Sequence, residues 1–218
     1  MSHKVGEMPV AIKSNWTLDK AARRAERERV LGAKQRAMPT RKYGVIYCDP
    51  PWRFEPYSRE TGMDRAADNH YSTMATSEIM AMAPQIEGIA AKDCVLFLWA
   101  TGAMCDQAFD LMRAWSFKYK SQYVWIKDRS ATGYWNRNRH ELLLIGTKGN
   151  IPCPAMGTQP ESTIFAAKGR HSAKPAEVRD MIMEQFPSLP RIELFARERV
   201  PGWDCWGDEV PSEEGKAD

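Results

Sequence analysis

The five cysteines (48, 94, 105, 153, 205) of this 218-residue chain form no Cys-x-x-Cys pair, and its four histidines (3, 70, 140, 171) show no metal-ligand spacing. Tetrahedral metal sites recruit clustered ligands, so no metal is expected. Scattered thiols, several inside apolar runs, read as reduced core cysteines of a cytoplasmic protein. No stretch has the roughly 18 apolar residues that span a bilayer, so no membrane partner is expected. The N-terminus is basic but has no apolar core, and it does not read as a secretory signal. No internal repeat is present. No Gly-x-Gly-x-x-Gly precedes Asp49 to cradle a dinucleotide-like cofactor. Charge of one sign is also scarce. The net charge is +3 with 27% charged residues, which barely favours a nucleic-acid partner.

The distribution of charge says more than the total. Residues 13–42 carry ten Lys/Arg against three Asp/Glu, and residues 208–218 carry five acids against one Lys. A basic arm and an acidic tail are averaged away in the sum. The length suits one good core and is short for two domains. We therefore divide the chain into a basic N-terminal arm (1–42), a catalytic domain (43–210) and an acidic, disordered tail (211–218). Within the arm, Thr17 to Ala37 reads as a helix with Thr17 as N-cap and Pro39 just beyond its end. It is poor in large apolar residues. It reads either as a solvated helix held by pairs such as Asp19–Arg23 or as an arm that touches phosphates.

Apolar runs at Tyr43–Cys48 and Cys94–Ala100 read as strands covered on both faces. Tyr119–Lys127 and His140–Thr147 read as a strand pair, Ser162–Ala167 as a short strand and Arg191–Ala196 as the last strand. Helices are expected in parts of Thr76–Ala91, interrupted by Pro84, at Gly102–Trp115 and at Pro175–Phe186. Met104, Ala108, Leu111, Met112 and Trp115 fall on one stripe and read as core. Strands alternating with helices imply an α/β, doubly wound sheet.

The chain is organised around Asp49-Pro50-Pro51-Trp52, which follows the first strand. A carboxylate there sits at the carboxyl edge of the sheet, where open α/β folds bind ligands. Two prolines stop the strand and leave carbonyls free to accept, and Trp52 adds a flat face. The tetrapeptide alone reads equally as a turn with a core Trp, or as a pocket for a flipped base whose amine bonds Asp49 and the Pro50 carbonyl. The polar stretch from Arg53 to Asn69 reads as a substrate loop or lid. The segment Asp128–Arg139 interleaves Arg129, Arg137 and Arg139 with Tyr134 and Trp135, a pattern suited to stacking on bases and pairing with phosphates, or to an ordinary polar hairpin loop.

The context extends well beyond four residues. His70-Tyr71-Ser72-Thr73-Met74, Phe97-Leu98-Trp99-Ala100-Thr101, Val124-Trp125-Ile126-Lys127, Gly133-Tyr134-Trp135, His140-Glu141 and Gly146-Thr147-Lys148-Gly149 follow in order. His171-Ser172-Ala173-Lys174-Pro175, Glu193-Leu194-Phe195-Ala196-Arg197 and Trp203-Asp204-Cys205-Trp206-Gly207 complete the set. From about Tyr43 to Glu209 the chain resembles the MT-A70 family of adenine-N6 methyltransferases, in the compact form of bacterial and phage members. The resemblance implies a class I methyltransferase sheet, Rossmann-like and mostly parallel with an antiparallel hairpin, in permuted motif order. It implies S-adenosylmethionine as cofactor. Asp49, Pro50, Pro51 and Trp52 would be catalytic. Asp49, Lys174, Glu193, Arg197, Asp208 and Glu209 would face the cofactor, with Lys174 on its carboxylate. Where the family pattern has Asn after the final Gly, this chain has Asp208, which puts an amide-specific contact in doubt.

On that resemblance the expected reaction is methyl transfer to the N6 amine of adenine in DNA. Tyr71, Trp135, Arg137, Arg139 and Glu141 would meet the substrate, and the protein would act as a monomer or homodimer. The same chemistry on RNA, a cytosine-N4 acceptor and a non-catalytic nucleic-acid-binding subunit are the alternatives. Non-catalytic family members lose the Asp or Trp of the tetrapeptide, and both are kept here.

Overall fold

The computed structural model describes residues 38–53, 73–131, 135–167, 169 and 173–207. The chain divides into two units, Met1–Ala37 and Met38–Asp218; only the second is described. The expected Thr17–Ala37 helix, the stretch after Arg53, Tyr71, Tyr134, Asp208, Glu209 and the acidic tail lie outside the described residues.

Seven strands form one sheet: β1 (Tyr43–Cys48), β2 (Ala90–Ala100), β3 (Lys118–Ile126), β4 (His140–Lys148), β5 (Thr163–Phe165), β6 (Arg191–Leu194) and β7 (Asp204–Trp206). Their order across the sheet is β5-β3-β4-β2-β1-β6-β7. β1 pairs parallel with β2 and β6, β6 with β7 and β3 with β5, whereas β4 is antiparallel to both neighbours. Among these strands β4 alone is therefore reversed. The first strand in sequence is central in space and lies beside a strand some 150 residues later, which is the permuted class I arrangement that the motif order implies. All six residues of β1 are buried, as expected of a parallel strand covered on both faces.

Successive side chains on the central strands serve opposite layers. Ile46, Cys48, Leu96, Leu98 and Leu144 pack with Ile79, Ile86, Leu111 and Met112. These come from α1 (Thr76–Met80), α2 (Ala83–Ile89) and α3 (Cys105–Ala114). Val45, Tyr47, Phe97, Trp99 and Leu143 pack with Val178, Ile182 and Phe186 at α4 (Glu177–Gln185) and its end. Helices on both faces make the fold doubly wound. The predicted stripe on α3 is core throughout. Pro84 opens α2 in its first turn, where a missing N–H is harmless, so the break expected at Pro84 lies just ahead of it. α3 follows a 3₁₀ turn at Gly102–Met104 and stops where Ser116 takes a left-handed φ of 62°.

The structure differs from the sequence reading chiefly at β2, which begins at Ala90 rather than Cys94 and so takes in the end of the segment read as helical, and at β6. β6 ends at Leu194, because Phe195 adopts φ 57° and turns the chain out of the ladder. A further strand, β7, follows it at the sheet edge. Its three residues are too short for a periodic signal. Three of the buried indoles are tied down by their N–H groups: Trp99 donates to the Tyr47 hydroxyl (2.7 Å), Trp115 to the Ile79 carbonyl (3.1 Å) and Trp125 to the Ala166 carbonyl (2.9 Å). Among the described residues no helix is long and apolar enough to cross a membrane.

Gly207 lies where the chain leaves β7 and passes Ala196. A methyl group there would stand 2.3 Å from the Ala196 carbonyl oxygen and 2.7 Å from its nitrogen. Gly207→Ala should therefore destabilise the fold by about 1–3 kcal/mol, as overpacking does. Gly88→Ala, on α2 with nothing within 4 Å, should stabilise it by up to ~1 kcal/mol. Calorimetric unfolding of both variants checks the pair, and equal effects would contradict the close approach.

Candidate active site

β1 delivers Asp49 to the carboxyl edge of the sheet, where β2 ends and the reversed β4 begins. Asp49, Pro50, Pro51 and Trp52 form one wall of a cleft there, and Trp99, Ala100, Thr101, Glu141, Lys174 and Arg197 form the rest. Three expected site residues from three distant sequence elements, Glu141, Lys174 and Arg197, thus meet the Asp49–Trp52 motif in one place.

The floor of the cleft is a row of alternating charges. Lys174 Nζ lies 2.9 Å from Asp49 Oδ2 and 3.1 Å from Glu141 Oε2. Glu141 Oε1 accepts a second ion pair from Lys127. Lys174 is 11% exposed, Glu141 13% and Asp49 22%. Lys174 Nζ also stands 5.5 Å above the Trp99 ring and Lys127 Nζ 4.9 Å above the Trp125 ring, so aromatic faces add to the ammonium environment. Lys174 reaches this position from the residue just before Pro175, at the entrance to α4.

These contacts set the protonation of the row. Burial pushes the Asp49 carboxyl up and the charge of Glu141 adds to that, while Lys174 and Arg197 oppose it without cancelling it. Burial also works against the charge on Glu141, but Lys174 and Lys127 outweigh it and hold Glu141 below its ordinary value. Burial disfavours the Lys174 ammonium, yet Asp49 and Glu141 together raise it above the usual lysine value. Glu141 and Lys174 are therefore ionised across the neutral range. Asp49 is the carboxylate most ready to take a proton.

Several expectations need correction. The proline carbonyls are not free. Pro50 O accepts the Trp52 N–H at 2.8 Å and Pro51 O accepts the Met74 N–H at 2.8 Å, because the double proline folds into a tight turn bridged to Thr73–Met74. One lone pair on each oxygen is left. Trp52 is 5% exposed, belongs to the core and donates its indole N–H to the Trp99 carbonyl at 3.1 Å. It is both core and cleft wall. Glu193 is not in the cleft. Arg179 takes both of its oxygens, Nε to Oε2 at 2.8 Å and Nη2 to Oε1 at 2.9 Å, and holds Glu198 as well. Trp135, Arg137 and Arg139 are exposed on the β3–β4 connection, outside the cleft.

Sequence reading missed Arg179, Lys127 and Thr101 as site components. Arg179 is not singled out in the sequence, and Lys127 and Thr101 figure there only within the family motifs, with no role of their own. Thr101 carries a buried hydroxyl that has no hydrogen-bond partner, and it lies in the cleft wall. Arg191 Nε and Trp203 Nε1, which are not in the cleft wall, are unpartnered in the same way; what distinguishes the Thr101 hydroxyl is that its residue lines the cleft, where it can bond a ligand group.

Comparison with known proteins places this geometry. The MT-A70 family model matches residues 43–209. The type II methyltransferase M.MunI of Mycoplasma sp is 35% identical over 189 residues, 80% of each chain. An N(6)-adenosine-methyltransferase MT-A70-like protein of Arabidopsis thaliana is 27% identical over 180 residues, 77% of this chain and 24% of the relative. The N(6)-adenine-specific methyltransferase METTL4 of Homo sapiens is 28% identical over 189 residues, 77% of this chain and 37% of the relative.

Removing Lys174 leaves two carboxylates facing each other with little water. Lys174→Met should destabilise the protein by about 3–5 kcal/mol at neutral pH, the scale for breaking a buried ion pair. Glu141 has a lowered carboxyl, so the stability it contributes is present above its ordinary value and is lost as pH falls through the folded one. The Lys174→Met deficit should therefore shrink in acid, and adding Glu141→Gln should recover part of it. Urea unfolding from about pH 2 to 8, which spans the range below the ordinary carboxylate value, reads this, and a deficit that does not change with pH would refute the charge row.

Proposed function

The chain belongs to the MT-A70 family, and from that premise we propose that it transfers a methyl group from S-adenosylmethionine to the N6 amine of adenine in DNA. The observation that carries the reading is a single carboxylate, Asp49, raised by burial and presented at the sheet edge inside a cleft that also holds two cations. We favour DNA because the chain is similar to the type II methyltransferase M.MunI over most of both lengths, whereas the plant N(6)-adenosine-methyltransferase and human METTL4 match over a smaller part of theirs.

The cleft suits the cofactor. S-adenosylmethionine carries a carboxylate, an ammonium and a sulfonium, and the cleft offers Lys174 and Arg197 beside Asp49 and Glu141, with the Thr101 hydroxyl unpartnered. When bound, it supplies an electrophilic methyl group. Arg197 and Lys174 would hold its carboxylate. Both Glu193 oxygens are taken by Arg179, so Glu193 acts in this reading by fixing the β6 end that carries Arg197. Asp208, Glu209 and Tyr71 keep their expected roles at cofactor and base as part of the proposal.

The chain's own work is to make a poor nucleophile better. The N6 lone pair is delocalised into the ring. Asp49 accepts one N6 hydrogen and the remaining lone pair of Pro50 accepts the other, which favours a pyramidal nitrogen. Asp49 then stabilises the positive charge that grows on N6. Lys174 engages Oδ2 of Asp49 and leaves Oδ1 for the amine. Holding amine and methyl group in line contributes on the order of 7–11 kcal/mol. After transfer N6 sheds a proton, and the raised Asp49 carboxyl is placed to receive it. The exposed part of Trp52 lies against the base, which must leave its stack to enter.

Asp49→Ala keeps the Lys174–Glu141 pair, so its Tm should stay within a few degrees of wild type while methyl transfer is abolished. Nucleoside digestion with mass detection, after incubation with S-adenosylmethionine and DNA or RNA oligonucleotides, should find N6-methyladenine from DNA with wild type alone. Wild-type-like transfer by Asp49→Ala would refute the mechanism. Label confined to RNA or to cytosine would refute the substrate.

A further inference from the structure

Trp135 is 101% exposed, a bare indole. Isolated apolar surface residues need no explanation, but the position of this one does. The β3–β4 hairpin continues beyond the sheet at the cleft edge. Trp125 pairs with Glu141 and Ile126 with His140. Lys127 N–H then bonds the Arg139 carbonyl at 2.8 Å and Ala131 N–H the Asn138 carbonyl at 2.6 Å. The base of this hairpin is tied into the charge row by Lys127 and Glu141. Trp135 lies near its tip, six residues from Glu141, within at most about 20 Å of the cleft. Arg137 and Arg139 are exposed on the same arm, and the Arg139 guanidinium is braced by its Nε bond to the Lys127 carbonyl (2.8 Å).

We propose that Trp135 is a wedge that enters a DNA duplex where the target adenine has left, while Arg137 and Arg139 meet the phosphates beside the gap. This rests on the proposed adenine methylation, which requires the base to leave the stack. An extruded base leaves its neighbours without a stacking face. Apolar side chains inserted between base steps are a known way to hold such a distortion, and an indole offers a face that any flanking base can use. Complementary charge selects nucleic acid over an apolar protein surface as the partner, since a bare aromatic flanked by arginines suits a polyanion. The cleft receives the base, and the arm holds open the place it came from.

The test compares wild type, Trp135→Ala and Trp135→Phe, as full chains, on three DNA substrates. These are one perfect duplex, the same duplex with a mismatch at the target adenine, and the single strand. Trp135→Ala should lower kcat/KM on the perfect duplex by about 10–100-fold, the scale of one lost base-stacking contact. The single strand, which has no duplex to hold open, should lose several-fold less than the perfect duplex does. The mismatch should fall between, and Trp135→Phe should recover most of the loss. Equal losses on all three substrates, or no loss on the duplex, would overturn the wedge. A second readout is independent of turnover. 2-Aminopurine at the target position should brighten when wild type binds the duplex and not when Trp135→Ala binds it. A Trp135-dependent gain without methyl transfer by wild type would support the wedge and overturn the proposed reaction. Transfer by wild type without that gain would overturn the wedge alone.

Discussion

The Lys174 ammonium, held between Asp49 and Glu141, is the interaction on which the site depends. Each carboxylate would be costly to bury alone, and two of them close together would repel. One ammonium between them, with Lys127 on the far side of Glu141, makes a neutral row that can sit largely buried. The row also makes the two acids unequal. Lys174 and Lys127 outweigh the burial of Glu141, which stays charged, whereas Lys174 and Arg197 do not offset the burial of Asp49, which is the more readily protonated. Environments that push two carboxyls apart in this way are the usual means by which a fold assigns them different work.

The sheet makes the row possible. β1 is central and buried on both faces, so its end is fixed by packing rather than by loop structure, and the prolines turn the chain at once. β4 is reversed, which brings its first residues, not its last, to the edge where β1 ends. Glu141 is therefore beside Asp49 although it begins a strand. Lys174 comes from the connection ahead of α4, the helix that covers the Tyr47–Trp99 layer. The row therefore bridges the sheet and that helix layer. The Arg179–Glu193 pair performs a similar service between α4 and β6.

Much of this was legible in the residues. The continuous apolar runs predicted β1 and β2, the α3 stripe predicted its buried face, and the order of motifs predicted the permuted sheet. Asp49, Glu141, Lys174 and Arg197 were singled out and do converge. What could not be read has physical causes. β7 has three residues and no alternation to detect. Phe195 ends β6 by a left-handed φ, which no ordinary preference of phenylalanine signals. The engagement of the Pro51 carbonyl depends on the pairing of residues 51–53 with 73–74 across a long separation in sequence, and that of Pro50 on a tight turn back from Trp52 that the double proline does not announce. Glu193 was expected to face the cofactor and Arg179 was not singled out, and only the packing of α4 on the sheet shows that they neutralise each other.

The central claim is that Glu141, through its charge and its share of Lys174, tunes the carboxyl of Asp49. Its most direct test is the pH dependence of single-turnover methyl transfer in wild type and Glu141→Gln. The amide removes a negative charge that raises Asp49 and leaves Lys174 to Asp49 alone, so the acid limb of the profile should move to lower pH. An acid limb that stays in place, or moves to higher pH, would contradict the account.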